Sequence, residues 1–255
     1  MKLGVCSNFR QAETVKKLGY DYIEEHFYRL SIYTEAEFQD AKTADNDAGI
    51  EIYSTNCFFG PGVNLYSDEV YEFLDGYVDR TAKRASELGV KLCVFGSGGA
   101  RKVPDNMTYE EAEKKLIKVI NYCADICGKY GMKLAIEPLQ RVETNMIITV
   151  KEACEFARKA NNDNVGAIVD FHHFYMNGES DDGLKGCADK LFHAHIARPN
   201  PDRKIPIEED IEIVKKWKGI LDDIGYSKTL SLECIFGENW AFEYEQAKPI
   251  LVVFL

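Results

Sequence analysis

Several features that would point to a membrane, secreted or nucleic-acid-binding protein are missing from this sequence of 255 residues. No apolar stretch approaches the roughly 18 residues that a membrane-spanning helix needs. The first ten residues have no apolar core of a signal peptide, so we expect a cytoplasmic protein. Only 31 basic residues stand against 42 acidic ones, a net charge of -11. Such an acidic chain repels phosphate backbones and anionic lipid, and we expect neither nucleic acid nor membrane as a partner.

The eight cysteines form no Cys-x-x-Cys pair and lie scattered along the chain, at positions 6, 57, 93, 123, 127, 154, 187 and 234. A chain of this length buries a core without disulfide bonds. We therefore interpret them as free thiols in a reducing compartment. Cys123 and Cys127 are one helical turn apart, and we interpret them as small core residues rather than as a metal-binding pair.

Short apolar runs alternate with longer, charged segments of helical spacing along the whole sequence. We predict eight buried parallel strands at residues 3–6, 20–23, 50–53, 91–95, 133–136, 165–169, 191–196 and 229–232. We predict helices at residues 11–18, 35–48, 67–88, 109–130, 150–159, 182–188, 207–224 and 238–253. Ser67, Thr108 and Thr149 are predicted helix caps. A glycine follows five of the predicted helices, as expected for left-handed helix stops, at positions 19, 49, 89, 131 and 225.

Eight strand–helix units in about 250 residues predict a single (β/α)8 TIM barrel of the α/β class, spanning residues 1–255 as one domain. A doubly wound open sheet is the alternative, but the glycine-rich turn it needs after the first strand is missing. The long predicted loops, at residues 55–66, 96–107, 138–148 and 197–206, all follow strands. In such a barrel they meet at the carboxyl end, where active sites lie.

Four consecutive predicted strands end in ionisable side chains, namely Glu137, Asp170, His195 and Glu233. Three carboxylates buried together repel one another unless a cation compensates their charge. Three carboxylates and one imidazole suit a divalent ion; we expect Mn2+ first, with Mg2+ or Co2+ as the alternatives, and all three before Zn2+. The sequence therefore predicts a metal site at the carboxyl end of the barrel.

The same segments resemble the xylose isomerase-like barrels, and within them the sugar epimerase group of the D-tagatose and D-psicose (allulose) 3-epimerases. The resemblance rests on Glu-Pro at 137–138 with a glutamate six residues later, Asp-x-x-His at 170–173, His-x-His at 193–195 and the final Glu233. It implies Glu137, Asp170, His195 and Glu233 as metal ligands. It also implies Glu137 and Glu233 as an acid/base pair that moves a proton on a carbohydrate through a metal-stabilised cis-enediolate. Epimerisation and aldose–ketose isomerisation both remain open.

Further residues are predicted to contact the substrate. The resemblance implies Glu143 and His173 at the sugar hydroxyls, and His173 is also a candidate for proton transfer. It places an arginine in the loop after the seventh strand, against the distal end of the substrate. Arg203 is preferred over Arg198 there, although its spacing from His195 departs from the family's.

Side chains near these ligands are assigned mostly to packing. Aromatic residues crowd the loops, and Phe59 and Trp240 are predicted as platforms for the apolar face of a sugar. We expect His172 to be structural, and His193 to face away from the metal and bond a neighbouring strand end. Glu25 and His26 receive no role.

The glycine-rich segment 96–101 contains an arginine and suggests a phosphate nest. We interpret it as a plain turn, because it is not a P-loop and leads into a loop rather than a helix. We therefore expect an unphosphorylated carbohydrate as the substrate. Barrels of this kind often assemble, so we also expect a dimer or tetramer.

The main alternative is a metal-dependent lyase on the same barrel, such as the catalytic subunit of a C-glycoside deglycosidase with a small partner subunit. A DNA-repair endonuclease of the same superfamily is disfavoured by the acidic charge and by having only five histidines. A non-catalytic sugar-binding protein is disfavoured because both predicted acid/base glutamates are present.

Overall fold

Eight parallel strands close into a barrel in chain order, each pairing with the next and β8 with β1. The computed structural model describes residues 1–255, except the side chain of Asp45. The strands are β1 (Lys2–Cys6), β2 (Tyr22–His26), β3 (Glu51–Asn56), β4 (Leu92–Phe95), β5 (Lys133–Ile136), β6 (Val165–Asp170), β7 (Leu191–Ile196) and β8 (Thr229–Leu232). The predicted TIM barrel is therefore confirmed.

Helices connect the strands on the outside. They are α1 (Ala12–Lys17), α2 (Phe27–Ile32), α3 (Glu35–Ala48), α4 (Val70–Glu87), α5 (Tyr109–Lys129), α6 (Val150–Ala160), α7 (Phe171–Met176), α8 (Asp181–Lys185), α9 (Ile211–Asp223) and α10 (Trp240–Leu251). All eight predicted helices are present, with ends that shift by up to four residues. Within the described residues, no helix is both long and apolar enough to cross a membrane.

The predicted second strand lies too early in the sequence. Tyr20 lies just after the turn that ends α1, and its amide donates to the carbonyl of Val15. The β2 ladder begins at Tyr22 and continues to His26, which pairs with Asn56 at the end of β3. Both strands therefore carry polar residues further toward the carboxyl end of the barrel than the sequence pattern indicated.

Two short helices, α2 and α7, lie in segments for which no helix was predicted. Asp170 ends β6 and also caps α7, because its Oδ1 accepts hydrogen bonds from the amides of His172 and His173. Nη1 of Arg84 in α4 donates to the carbonyls of Leu30 in α2 and of Tyr33 just after it, a contact between segments distant in sequence. Each helix has only six residues and one buried apolar pair three residues apart, too short for the periodicity on which the helix predictions relied.

Local signals at helix ends were mostly correct. Thr108 and Thr149 each form a capping box with a glutamate three residues later. The five predicted stop glycines all have φ between 61° and 85°. Ser67 is not a cap: α4 begins after Glu69, which makes no capping side-chain bond.

Candidate active site

The four predicted ligand residues meet at the carboxyl end of the barrel. Glu137 follows β5, Asp170 ends β6, His195 lies in β7 and Glu233 follows β8. One nitrogen or oxygen atom from each lies within 4.8 Å of those from the other three. Because these strands are parallel neighbours, they deliver their last side chains to the same mouth. The structure thus brings together the residues that the sequence predicted.

The ring of His195 is held so that Nδ1 faces the other three residues. Nδ1 lies 3.0 Å from Oε2 of Glu233 and 3.2 Å from Oε1 of Glu137. On its other side, Nε2 contacts Oε1 of Glu24 at 2.9 Å. A carboxylate behind a histidine fixes the ring and increases its basicity, as is usual for metal-binding histidines.

Glu24 of β2 was not predicted from the sequence. It is fully buried, and its Oε2 accepts hydrogen bonds from Ser54 and Ser231 and contacts Nε2 of His193 at 2.8 Å. A carboxylate in the middle of a buried strand was the available signal, but the predicted strand ended one residue too early to include it.

The expectation that His193 faces away from the metal position is wrong. Residues two apart in a strand point to the same face, so His193 lies inside the barrel below His195. It does bond a neighbouring strand, as expected, through Nδ1 to Oγ1 of Thr229 at 2.7 Å.

The cluster carries more negative than positive charge. Burial and the charge of Glu233 raise the pKa of Glu137 to about 7. Burial opposes the ionisation of Glu233, but His195 and Arg203 outweigh it and lower its pKa to about 2. One of the three carboxyls therefore resists ionisation beside the others. A divalent cation would relieve this repulsion, and three carboxylates with one imidazole form a donor set that suits such an ion.

Arg203 lies directly on this cluster. Its Nη2 contacts Oδ2 of Asp170 at 2.6 Å and also Oε2 of Glu233, and its Nη1 donates to Nε2 of His173 at 2.7 Å. Its φ is 47°, a left-handed conformation that costs a non-glycine residue about 1–3 kcal/mol and is concentrated at functional sites. The guanidinium therefore lies on the cluster itself, against Asp170 and Glu233.

Arg198, the second choice for this role, lies outside the cavity. Its guanidinium is 3.6 Å from Asp210 and 4.0 Å from Asp202. Its carbonyl is 3.2 Å from Nδ1 of His172, which is fully buried as the structural interpretation requires.

A first cavity lobe of about 630 Å³ opens beside Glu137, Arg203 and Glu233. Glu143 and His173 line it, and Nδ1 of His173 is buried without a hydrogen-bond partner among the described residues. The predicted platform residue Phe59 also lines this lobe. Glu143, His173 and Phe59 thus line one cavity, and their contacts with a substrate stay predictions.

The glycine-rich segment shapes this lobe. Arg101 is fully buried and donates to the carbonyls of Phe95, Glu137 and Ile147, so its guanidinium is not available to a phosphate. A Cβ on Gly96 would lie 2.2 Å from Oε2 of Glu137, so only glycine leaves room for that carboxylate. The segment therefore positions Glu137.

A second lobe of about 460 Å³ lies on the β1 and β8 side of the mouth. Trp240, the other predicted platform, lines this lobe and not the first. Asn56 was missed by the sequence analysis; its Nδ2 donates to Oε1 of Glu233 at 2.6 Å. His26 lines both lobes, whereas Glu25 is buried and accepts hydrogen bonds from the amides of Phe9 and His26.

A closed barrel with a buried cluster of carboxylates and histidine at its mouth defines a class of barrel enzymes. Residues 12–249 match the xylose isomerase-like TIM barrel family. The chain belongs to that family.

Comparisons with named proteins agree. The sequence is 28% identical over 237 residues to D-psicose 3-epimerase from Agrobacterium fabrum, covering 87% of this chain and 77% of that protein. The fold is similar to that of the apo 3-keto-D-glucoside 4-epimerase YcjR from E. coli, with a TM-score of 0.83, 19% identity and 99% of each chain covered. It is also similar to the IOLI protein solved with a bound zinc atom, with a TM-score of 0.77, 23% identity and coverage of 100% and 98%. The relatives' names support an enzyme of the isomerase type.

Proposed function

We propose that this protein is a divalent-metal-dependent sugar epimerase or isomerase that acts on the α-hydroxy ketone of a ketose or related carbohydrate. The observation that carries the proposal is that Glu137 and Glu233 reach one buried cluster from β5 and β8, three strands apart around the barrel. Two carboxylates that approach a carbon from different sides can remove a proton from one face and return a proton to the other. The named sugar epimerases among the relatives support this choice.

Glu137, Asp170, His195 and Glu233 would hold the metal, for which we propose Mn2+, with Mg2+ or Co2+ as alternatives. When bound, a divalent ion polarises a carbonyl oxygen and acidifies the neighbouring C–H. The imidazole must be neutral to act as a ligand. The carboxylate of Glu24 holds the ring so that Nδ1 faces the cluster, where it would be the ligating atom.

Glu137 and Glu233 are the proposed acid and base. One carboxylate takes the α-proton of the sugar and leaves an enediolate, and the other returns a proton from the opposite side. Asn56 and Arg203 hold the carboxylate of Glu233 by hydrogen bonds to its two oxygens. Return to the same carbon gives epimerisation, and return to the neighbouring carbon gives isomerisation.

Substrate hydroxyls would be bound by His173, Glu143 and Arg203. The Nδ1 of His173 has no partner among the described residues, and it lies 3.9 Å from Oε1 of Glu143. We propose Phe59 as the apolar surface under the reacting sugar. Arg198 has no place in this scheme, because it lines neither lobe of the cavity. The cytoplasmic location, the dimer or tetramer and the small second subunit stay predictions.

The test measures turnover of α-hydroxy ketone sugars by the Mn2+-loaded protein and by Glu137→Gln and Glu233→Gln. Each variant is expected to lose at least about a hundredfold in kcat, the scale of losing an acid/base group. Glu25→Gln is the matched control, since it changes a buried carboxylate that lies outside the cluster. Metal content is measured on the same samples. Near-full activity of either cluster variant with metal bound would contradict the two-glutamate scheme, and cleavage products would favour the lyase.

A further inference from the structure

We infer that the substrate is a glycoside whose second sugar ring binds in the second lobe of the cavity. This inference rests on the proposed function and extends it from the reacting sugar to the group attached to it. The lobe is defined here by its polar residues Asn8, Gln11 and Asn56 and its aromatic residues Phe236, Trp240 and Tyr244.

The two lobes adjoin each other at the mouth of the barrel. They share His26, Arg203 and Glu233, so a ligand that fills both passes beside the acid/base carboxylate. Binding cavities for small organic ligands usually measure about 300–1,000 Å³. The first lobe, at about 630 Å³, reaches this range alone. The second, at about 460 Å³, is then free for another group of sugar size.

The polar side of the second lobe has hydrogen-bonding groups without partners. Oδ1 of Asn56 and Nδ1 of His26 are buried and have no hydrogen-bond partner among the described residues. Asn56 is 1% exposed, so leaving its Oδ1 without a hydrogen bond costs free energy unless a ligand or a water molecule donates to it. A polyhydroxylated ring carries both donors and acceptors for the polar residues of this lobe, Asn8, Gln11 and Asn56.

Three aromatic residues also line the lobe. Tyr244 packs against Trp240 with ring centroids 5.4 Å apart and against Phe236 with centroids 4.7 Å apart. Tyr244 also donates to Oε1 of Gln11 at 2.9 Å, which joins the aromatic and polar sides. Aromatic rings and amide groups in one lobe match the two kinds of surface that a pyranose offers.

The charges of the lobe favour a neutral group over a phosphate or carboxylate. Its two arginines are both neutralised, since Arg29 pairs with Glu25 and Arg203 pairs with Asp170 and Glu233. No lysine lines the lobe. An anionic appendage would therefore meet no free cation there.

The experiment compares three substrates for the Mn2+-loaded protein: glucose oxidised to a ketone at C3, its methyl glycoside, and trehalose oxidised at C3 of one ring. Deuterium uptake from D2O next to the ketone gives kcat/KM for each. We expect the disaccharide to exceed the methyl glycoside by at least about tenfold. Trp240→Ala should lower this ratio at least about fivefold. Phe242→Ala on the same helix is the control, because Phe242 is 60% exposed and lines neither lobe.

A second measurement does not depend on turnover. The chain has two tryptophans, and Trp217 is buried against Phe171, away from the cleft. Titration with unoxidised trehalose should therefore change the emission of Trp240 in a saturable way, and glucose should do so only at much higher concentration. The change should disappear in Trp240→Phe.

The outcomes separate the two claims. Equal or slower exchange on the disaccharide, with exchange on the smaller ketones intact, overturns the second subsite and leaves the proposed function standing. No exchange on any ketone, together with a saturable response to trehalose, overturns the function and supports the subsite. No exchange and no response overturns both.

Discussion

The contact between Glu24 and His195 offers a sharp test of how the metal site is built. Glu24→Gln keeps the size of the side chain and leaves an oxygen that can still accept from Nε2 of His195, but it removes the charge. We expect the affinity for Mn2+ to fall by about 10–100-fold, the usual effect of changing a carboxylate behind a metal-binding histidine. That loss corresponds to about 1.4–2.7 kcal/mol at 25 °C.

The structure supports a loss of this size. Glu24 is fully buried, and its Oε1 contacts Nε2 of His195 at 2.9 Å. Electrostatic attraction and hydrogen bonds from His195 and His193 outweigh the effect of burial and hold the pKa of Glu24 well below its usual range. The carboxylate is therefore ionised behind the ligand. The amide has no such charge and holds the ring less strongly.

The assay is calorimetric titration of the metal-free protein with Mn2+. Glu25→Gln is the matched control: it neutralises the next residue of the same strand, a buried carboxylate that bonds Phe9 and Arg29 rather than the cluster. We expect its Mn2+ affinity to stay within about twofold of the unchanged protein. Wild-type affinity in Glu24→Gln, or equal losses in both variants, would refute the assigned role of Glu24.

Three further predictions follow from the site and its surroundings. Arg203→Ala should raise KM for the sugar by more than Arg198→Ala does, because only Arg203 lines the cavity; steady-state kinetics that give the reverse order would contradict this. Gly96→Ala should weaken Mn2+ binding measured by titration, because its Cβ would lie 2.2 Å from Oε2 of Glu137; unchanged affinity would show that this carboxylate moves freely. Burial raises the pKa of Glu179 from 4.5 to about 8. Between these two pH values the folded protein keeps a proton that the unfolded chain releases, so the free energy of unfolding falls as pH rises from 4.5 to 8. Glu179→Gln should therefore raise Tm by about 2 °C or more at pH 8 and by less at pH 5, and an equal shift at both would contradict it.

The barrel could be predicted because its signals are local and repeated. Buried parallel strands appear in the sequence as short apolar runs, and left-handed glycines such as Gly89 end the helices between them. The ligands could be predicted for the same reason: Glu137, Asp170 and Glu233 each follow an apolar run directly. A polar side chain at that point of a barrel strand faces the mouth.

The residues that were missed depend on contacts between distant segments. Glu24 meets His195 across 171 positions of sequence, and Asn56 meets Glu233 across 177. Nothing near either residue indicates its partner. Arg203 was predicted as a substrate contact. Its position on the carboxylates depends on its left-handed backbone conformation, which cannot be predicted from the sequence because the residue is not a glycine.

Deuterium exchange from D2O into a panel of keto sugars, followed by NMR on one sample before and after metal removal, tests the central claim most directly. We predict that deuterium enters at a single carbon next to the ketone, that the exchange stops when a chelator removes the metal, and that it returns when Mn2+ is added. Exchange that continues undiminished without metal, or no exchange at any carbon with Mn2+ bound, would contradict the account of two glutamates and a metal acting on one sugar carbon.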